Sequence, residues 1–212
     1  MKKALFFDLD GTLRNALEPL KDSYNEAMKL NNLPYRFDLT KIQSYMGLTP
    51  IETVHLAFPD VDEETGLGYF KICFDHEIKY LAIHPGELFP NEEEVLSDLS
   101  SRYDLYVVSN ADIGYIENYL NACNMSKYFK GHLCAGDTNK DKAFNIQYLK
   151  EKENIDKVIY IGDTNKDYIE STKAGVEFIH ASYGFGEIKS CKYSIKSLKE
   201  LPSLVDHIFN SF

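Results

Sequence analysis

Two aspartates separated by one residue, Asp8 and Asp10, follow directly on the unbroken apolar run Ala4-Leu-Phe-Phe7 and precede Gly11 and Thr12. A carboxylate pair at the end of a buried strand is costly unless something compensates it, and a divalent cation with oxygen ligands is the usual compensation. Two further apolar runs end in a similar way. Leu105-Tyr-Val-Val108 leads into Ser109 and Asn110, and Val158-Ile-Tyr-Ile161 leads into Gly162 and Asp163, with Asp167 shortly after. If these strands are parallel neighbours, their carboxyl ends converge on one crevice. It would hold four carboxylates, a hydroxyl and an amide, and Lys142 adds an ammonium. That inventory suits metal-assisted phosphoryl transfer. Mg²⁺ prefers a few carboxylates and retained waters. A phosphoryl oxygen bound to it gains transition-state stabilisation. The hydroxyl and ammonium can hold the remaining oxygens, and a carboxylate can serve as nucleophile.

The elements that must position these groups can be read from the pattern. Ala4–Phe7 shows no alternation, as expected of a strand buried on both faces of a parallel sheet. From Asn15 to Ile83 the pattern is helical. Leu20, Tyr24, Ala27 and Met28 share a face; Thr49-Pro50-Ile51-Glu52 is a capping box with proline at the first helical position; Leu67, Phe70, Phe74, Ile78 and Leu81 form a stripe. Beyond Glu87, helices and strands alternate. Helices are expected at Glu92–Leu99 and Ile113–Cys123, after Lys142 and up to Gly175, and strands at Leu105–Val108, His132–Cys134, Val158–Ile161, Val176–Ile179 and Tyr193–Ile195. Gly136–Asp141 reads as a loop. The expectation is an α/β protein with a doubly wound, mostly parallel sheet. Residues 1–14 and 84–212 would form this core and residues 15–83 an inserted all-helical domain, hinged near Arg14–Ala16 and His84–Gly86.

With 33 acidic and 23 basic residues in 212, the net charge of -10 disfavours nucleic acid as a general partner. No stretch is long and apolar enough to span a membrane, and Asp8 interrupts the only run resembling a secretion signal. Cys73, Cys123, Cys134 and Cys191 form no close pair and read as reduced thiols. A cytoplasmic protein is expected. The histidines show no ligand spacing, and the acidic runs Asp62–Glu64 and Glu92–Glu94 read as solvated helix starts.

Asp8-Leu-Asp10-Gly-Thr-Leu13 resembles the first motif of the haloacid dehalogenase-like superfamily in its phosphatase form. Ser109-Asn110 resembles the second motif, Lys142 the third, and Gly162-Asp163-x-x-x-Asp167 the fourth, with a helical cap inserted after motif one. The resemblance covers nearly the whole chain and implies a Rossmann-like core. It implies that Asp8 is the nucleophile and Asp10 the general acid/base. Ser109, Asn110 and Lys142 would bind phosphate. Mg²⁺ would be held by Asp8, the Asp10 carbonyl and Asp163, with Asp167 either a further ligand or a residue behind the ligands, and Gly11 and Thr12 would shape the motif-one loop, with a hydrogen bond from Thr12. Dehalogenases of the superfamily lack the second aspartate, so Asp10 argues for phosphate chemistry. Lys140 is the alternative to Lys142. Arg14 stands where an acidic residue is frequent and reads as a solvated arginine or a contact for a second anion. Gly47, Leu48 and Thr49 in the cap are candidate specificity residues, and Tyr183-Gly-Phe-Gly186 resembles a turn near the site in phosphoglycolate phosphatase-like members.

The resemblance implies a Mg²⁺-dependent phosphatase acting on a small phosphorylated metabolite, of phosphoglycolate or sugar phosphate type, through an aspartyl-phosphate. The alternatives are a β-phosphoglucomutase-like phosphomutase and, from another class, a phospho-acceptor module resembling response-regulator receivers. The receiver pattern divides its acidic groups between two strands, whereas here Asp8 and Asp10 follow one.

Overall fold

The computed structural model describes residues 1–211. The chain begins with β1 (Lys3–Phe7) and a short β2 (Arg14–Asn15). Helices α1 (Leu17–Leu30), α2 (Leu39–Tyr45), α3 (Pro50–Ala57) and α4 (Glu63–Leu81) follow, then β3 (Glu87–Leu88). The rest alternates: α5 (Glu92–Ser100), β4 (Asp104–Ser109), α6 (Tyr115–Ala122), β5 (Gly131–Cys134), α7 (Ala135–Thr138), α8 (Lys142–Lys152), β6 (Lys157–Gly162), α9 (Asn165–Lys173), β7 (Glu177–Ala181), β8 (Ser194–Ile195) and α10 (Leu201–Asn210).

Six parallel strands form one sheet in the order β5-β4-β1-β6-β7-β8. This is the mostly parallel α/β architecture expected from the alternation. The chain travels outward from β1 through β4 and β5, then returns to β1's other side for β6, which makes β1 the point where strand order reverses. Ligands in open α/β sheets bind outside the carboxyl ends of strands at such a point.

Ala4 to Phe7 are fully buried, and successive side chains enter opposite layers. Leu5 and Phe7 join Val95, Leu96, Leu99, Ile116, Val205 and Ile208 from α5, α6 and α10. Ala4 and Phe6 join Ile146 and Leu149 of α8, with Ala174 following α9. Burying each such large side chain contributes about 1.5–3 kcal/mol, which is why this run tolerates no polar residue until Asp8. The register pairs Phe7 with both Val107 and Ile161, and the Asp8 amide donates to the Ile161 carbonyl at 2.8 Å. The ends of β1, β4 and β6 therefore lie level.

The helices between β2 and β3 bury a face of their own. Leu20, Tyr24, Ala27 and Met28 are buried on α1, and Phe37 meets Tyr24 and Phe58 edge-on at 5.5 and 6.0 Å between ring centroids. The Thr49–Glu52 capping box starts α3. On α4 the stripe is turned from its expected position. Leu67 is exposed, whereas Cys73, Glu77 and Leu81 are buried and Phe70, Phe74 and Ile78 partly so. β2 and β3 pair antiparallel, Arg14 with Leu88 and Asn15 with Glu87, and so tie together the two connections leading into and out of the helices. The expected loop at Gly136–Asp141 is partly helical: α7 closes over the Cys134 amide, which donates to Asp137 at 2.8 Å. Gly175, with φ +67°, follows the end of α9, as its C-cap reading requires. All four cysteines are free thiols. No helix among the described residues is long and apolar enough to cross a membrane.

Candidate active site

The three strand ends bring Asp8, Asp163 and Asp167 together, with one carboxylate oxygen from each within 4.8 Å of the others. All three are buried. Lys142, at the first turn of α8 and only 1% exposed, places its ammonium 2.9 Å from Asp8 Oδ1 and 2.5 Å from Asp167 Oδ1. The Tyr160 ring lies beneath it, 5.4 Å from Nζ. Lys140 is exposed, and its backbone amide donates to Thr138. Asp167 is fixed further by α9's own start, where the Thr164 amide and hydroxyl donate to its Oδ2 at 3.0 and 2.6 Å.

Asp163 is held by the loop Tyr183–Gly186. The Phe185 amide donates to Asp163 Oδ2 at 2.7 Å, and Tyr183 Oη donates to the Thr12 carbonyl at 2.7 Å. Backbone here approaches too closely for a side chain. A Cβ on Gly11, whose φ is +85°, would fall 2.2 Å from Asp163 Oδ2, and one on Gly184 would fall 2.3 Å from the Gly11 carbonyl. The buried His180 points Nε2 at the Asp163 and Gly186 carbonyls, a structural position.

The electrostatics of this cluster are unbalanced. Burial, then the proximity of Asp167, pushes the Asp8 carboxyl up to about 7 despite Lys142. Burial, then Asp167 and Asp8, pushes Asp163 well up. For Lys142, burial works against the charge, but Asp167 and Asp8 outweigh it and hold the ammonium above its ordinary range. Three carboxylates against one ammonium leave an excess of negative charge that a divalent cation could offset. Asp163 Oδ1 is buried without any hydrogen-bond partner and so is free to serve as a metal ligand. The donor set, all carboxylate oxygen, fits Mg²⁺.

Asp10 turns away from the cluster. Its Oδ1 accepts from Arg14 Nε at 3.1 Å and its Oδ2 from Tyr115 Oη at 2.7 Å. Arg14 is fully buried, donating also to the Pro85 carbonyl at 3.2 Å, with the Tyr115 and Tyr119 rings 4.9 and 5.5 Å from its guanidinium carbon. It is therefore neither a solvated arginine nor a residue open to a second anion. Glu92, expected on a solvated face, is buried and accepts from the Tyr119 hydroxyl. The Thr12 hydroxyl makes no hydrogen bond; its amide bonds to the Leu9 carbonyl.

Asp8, Asp10, Ser109 and Asn110 line a cavity of about 100 Å³ between the strand ends and the helices. The helices supply Gly47 and Leu48 to its wall, but not Thr49, whose hydroxyl is engaged with Glu52 in the capping box. Asn110 Nδ2 donates to the Gly47 carbonyl at 2.8 Å, and Lys166 pairs with Glu52 at 2.5 Å, so the helices are tied down over the crevice. Tyr115 and Glu77 also line it. Neither was expected. Nothing in the sequence marks Tyr115, but Glu77 had a signal: an acid three residues after Phe74 and four before Leu81, on an otherwise apolar face.

A family model described as Haloacid dehalogenase-like hydrolase matches residues 5–181. The chain belongs to that family. Relatives of this haloacid dehalogenase-like chain include the phosphoglycolate phosphatase of Haemophilus influenzae, 26% identical over 226 residues, covering 99% of this chain and 95% of that protein. The phosphoglycolate phosphatase of Colwellia psychrerythraea is 24% identical over 197 residues, covering 87% and 86%. Among solved structures, a haloacid dehalogenase-like family hydrolase from Streptococcus pneumoniae superposes with a TM-score of 0.83 at 22% identity, over 96% of this chain and 98% of that one. CbbY from Rhodobacter sphaeroides, solved with phosphate, gives 0.79 at 16% identity, over 95% and 96%. The superfamily and fold expected from the motifs agree with the family model and these relatives.

Proposed function

We propose that this haloacid dehalogenase-like phosphatase hydrolyses a small phosphomonoester through an aspartyl-phosphate on Asp8, with Mg²⁺ held by Asp8, Asp163 and Asp167. The observation that carries the reading is the placement of Asp8: buried at the end of the central strand, gripped by Lys142, and facing the cavity. A carboxylate stripped of water and held in one orientation is prepared for attack.

An Asp8 oxygen bonds to phosphorus as the ester P–O bond breaks. Asp10, oriented by Arg14 and Tyr115, gives its proton to the departing alkoxide. It then takes a proton from the water that attacks phosphorus, and the Asp8–phosphorus bond breaks to release inorganic phosphate. Ser109 and Lys142 hold phosphoryl oxygens, and Lys142 also offsets the charge of Asp8. Mg²⁺, when bound, supplies charge neutralisation and polarises a phosphoryl oxygen. The helices of residues 15–83 act as the cap of a core made of residues 1–14 and 84–212; they exclude water from the cavity, with Gly47 at the substrate's edge. The protein works in the cytoplasm.

The test is release of phosphate from an aryl phosphate with Mg²⁺ and with a chelator. Turnover should require the cation, and Asp8→Asn should lower it by at least about 10³-fold. Substantial turnover by Asp8→Asn would remove the covalent step.

A further inference from the structure

The cavity beside Asp8 and Asp10 has Leu20, Ile42, Phe70 and Phe74 in its wall, and its charged lining residues, Glu77 and Asp112 included, are all acidic. No lysine, arginine or histidine is among its described lining residues. Of the nearby cations, Lys142 is engaged by Asp8 and Asp167, and Arg14 by Asp10 and the Pro85 carbonyl; the unpartnered Arg14 Nη2 is buried, and Arg14 is not part of the lining. A second anionic group on a substrate, such as a carboxylate, would lose its water here and find no positive partner.

The opposite charge is provided for. Glu77 lines the same cavity at 4% exposure, hydrogen-bonded to Tyr24 and close enough to Asp10 for the two carboxyls to repel. No salt bridge reaches it among the described residues. Burial pushes it up to about 8 although Arg14 draws it down, so an ammonium brought into the cavity would favour its ionised form. Tyr24, Phe70, Phe74 and Tyr115 bring four aromatic rings to the same wall. Asp10 is the group that meets the leaving oxygen, so whatever that oxygen carries extends toward Glu77 and these rings. A carboxylate among aromatic faces is the chemistry that binds ammonium groups. The cavity's size, about 100 Å³, suits a short leaving group.

We propose that this site takes a phosphomonoester whose leaving alcohol carries a protonated amine or quaternary ammonium and no second anion. The proposal rests on the phosphatase reading above. The experiment compares kcat/KM for phosphorylcholine, phosphorylethanolamine, phosphoglycolate, glucose 6-phosphate and an aryl phosphate on the full chain with Mg²⁺. The two ammonium esters should exceed phosphoglycolate and glucose 6-phosphate by at least tenfold, and the pair separates a quaternary from a protonated group. Glu77→Gln should reduce the ratio of the better ammonium ester to phosphoglycolate by tenfold or more. Phe70→Arg, on the partly exposed side of the wall, should move the ratio the same way by serving the carboxylate. Turnover of the aryl phosphate with phosphoglycolate or glucose 6-phosphate preferred would overturn the substrate assignment alone. Failure of every ester, the aryl phosphate included, would overturn the phosphatase reading and this one with it.

Discussion

Two buried charge clusters flank the loop from Asp8 to Arg14, and they are balanced in opposite ways. On one side Asp8, Asp163 and Asp167 share a single ammonium, and Asp163 keeps an unpartnered oxygen. On the other, one guanidinium serves one close acidic partner: Arg14 binds Asp10, lies between two tyrosine rings, and reaches the Pro85 carbonyl across the β2–β3 pairing, with its Nη2 buried and unpartnered. The additional carboxyls near it, Glu77 and Glu92, are pushed up to about 8 by burial and each bonds a tyrosine hydroxyl. A cluster with excess charge needs something from outside. A cluster that balances itself is a framework, and this one holds Asp10 at the edge of the cavity.

Breaking the balanced cluster should have the larger effect on stability. Arg14→Met leaves the partly buried Asp10, bonded to Tyr115, without its cation, and removing one partner of a largely buried pair costs about 3–5 kcal/mol. Urea unfolding measures it. Arg14→Lys should recover only part, since an ammonium cannot reach Asp10 and the Pro85 carbonyl together or stack as a plane. A loss under about 1 kcal/mol in Arg14→Met would deny the framework role. In the unbalanced cluster a charge-removing change should do the reverse. Asp163→Asn relieves repulsion from Asp8 and Asp167, so without cation its melting temperature should rise by about 2–4 °C for ~1 kcal/mol. The same variant should bind Mg²⁺ at least about tenfold more weakly by titration calorimetry. A lower melting temperature together with unchanged Mg²⁺ affinity would mean that the acidic cluster is structural.

The two clusters were not equally legible in the sequence. Asp8, Ser109 and Asp163 each stand at the end of an apolar run, and a parallel sheet with level strand ends brings such positions together without further information. Lys142 likewise announced itself by opening a helical pattern. Arg14, Tyr115, Glu77 and Glu92 lie on four different elements and meet through tertiary packing alone, so the local pattern misplaced Arg14 and Glu92 in solvent. Glu92 illustrates the reason. The first turn of a helix favours acids whether they face water or not, so the helix start was readable and the direction of that side chain was not. The turned stripe on α4 has a similar origin: Leu67 satisfies the period but lies on the outer side, and Cys73 and Glu77 take the inner positions.

The smallest effect separates the clusters by pH. Glu92 has an ordinary carboxyl value of 4.5 when unfolded and about 8 in the fold. Below 4.5 both states carry the proton and its stabilisation is complete. Between these values the unfolded chain releases the proton while the folded chain keeps it, so stability falls as pH rises, by at most about 1.4 kcal/mol per pH unit. Above about 8 both states are ionised and the slope ends. Glu92→Gln cannot ionise but can still accept from Tyr119, so its stability should fall less steeply between pH 5 and 8 and exceed that of the parent at pH 8. Glu77 keeps a slope of the same sign in the variant, so the difference between the two curves isolates Glu92. Urea midpoints at several pH values measure it, and parallel curves would show that Glu92 does not enter the fold protonated.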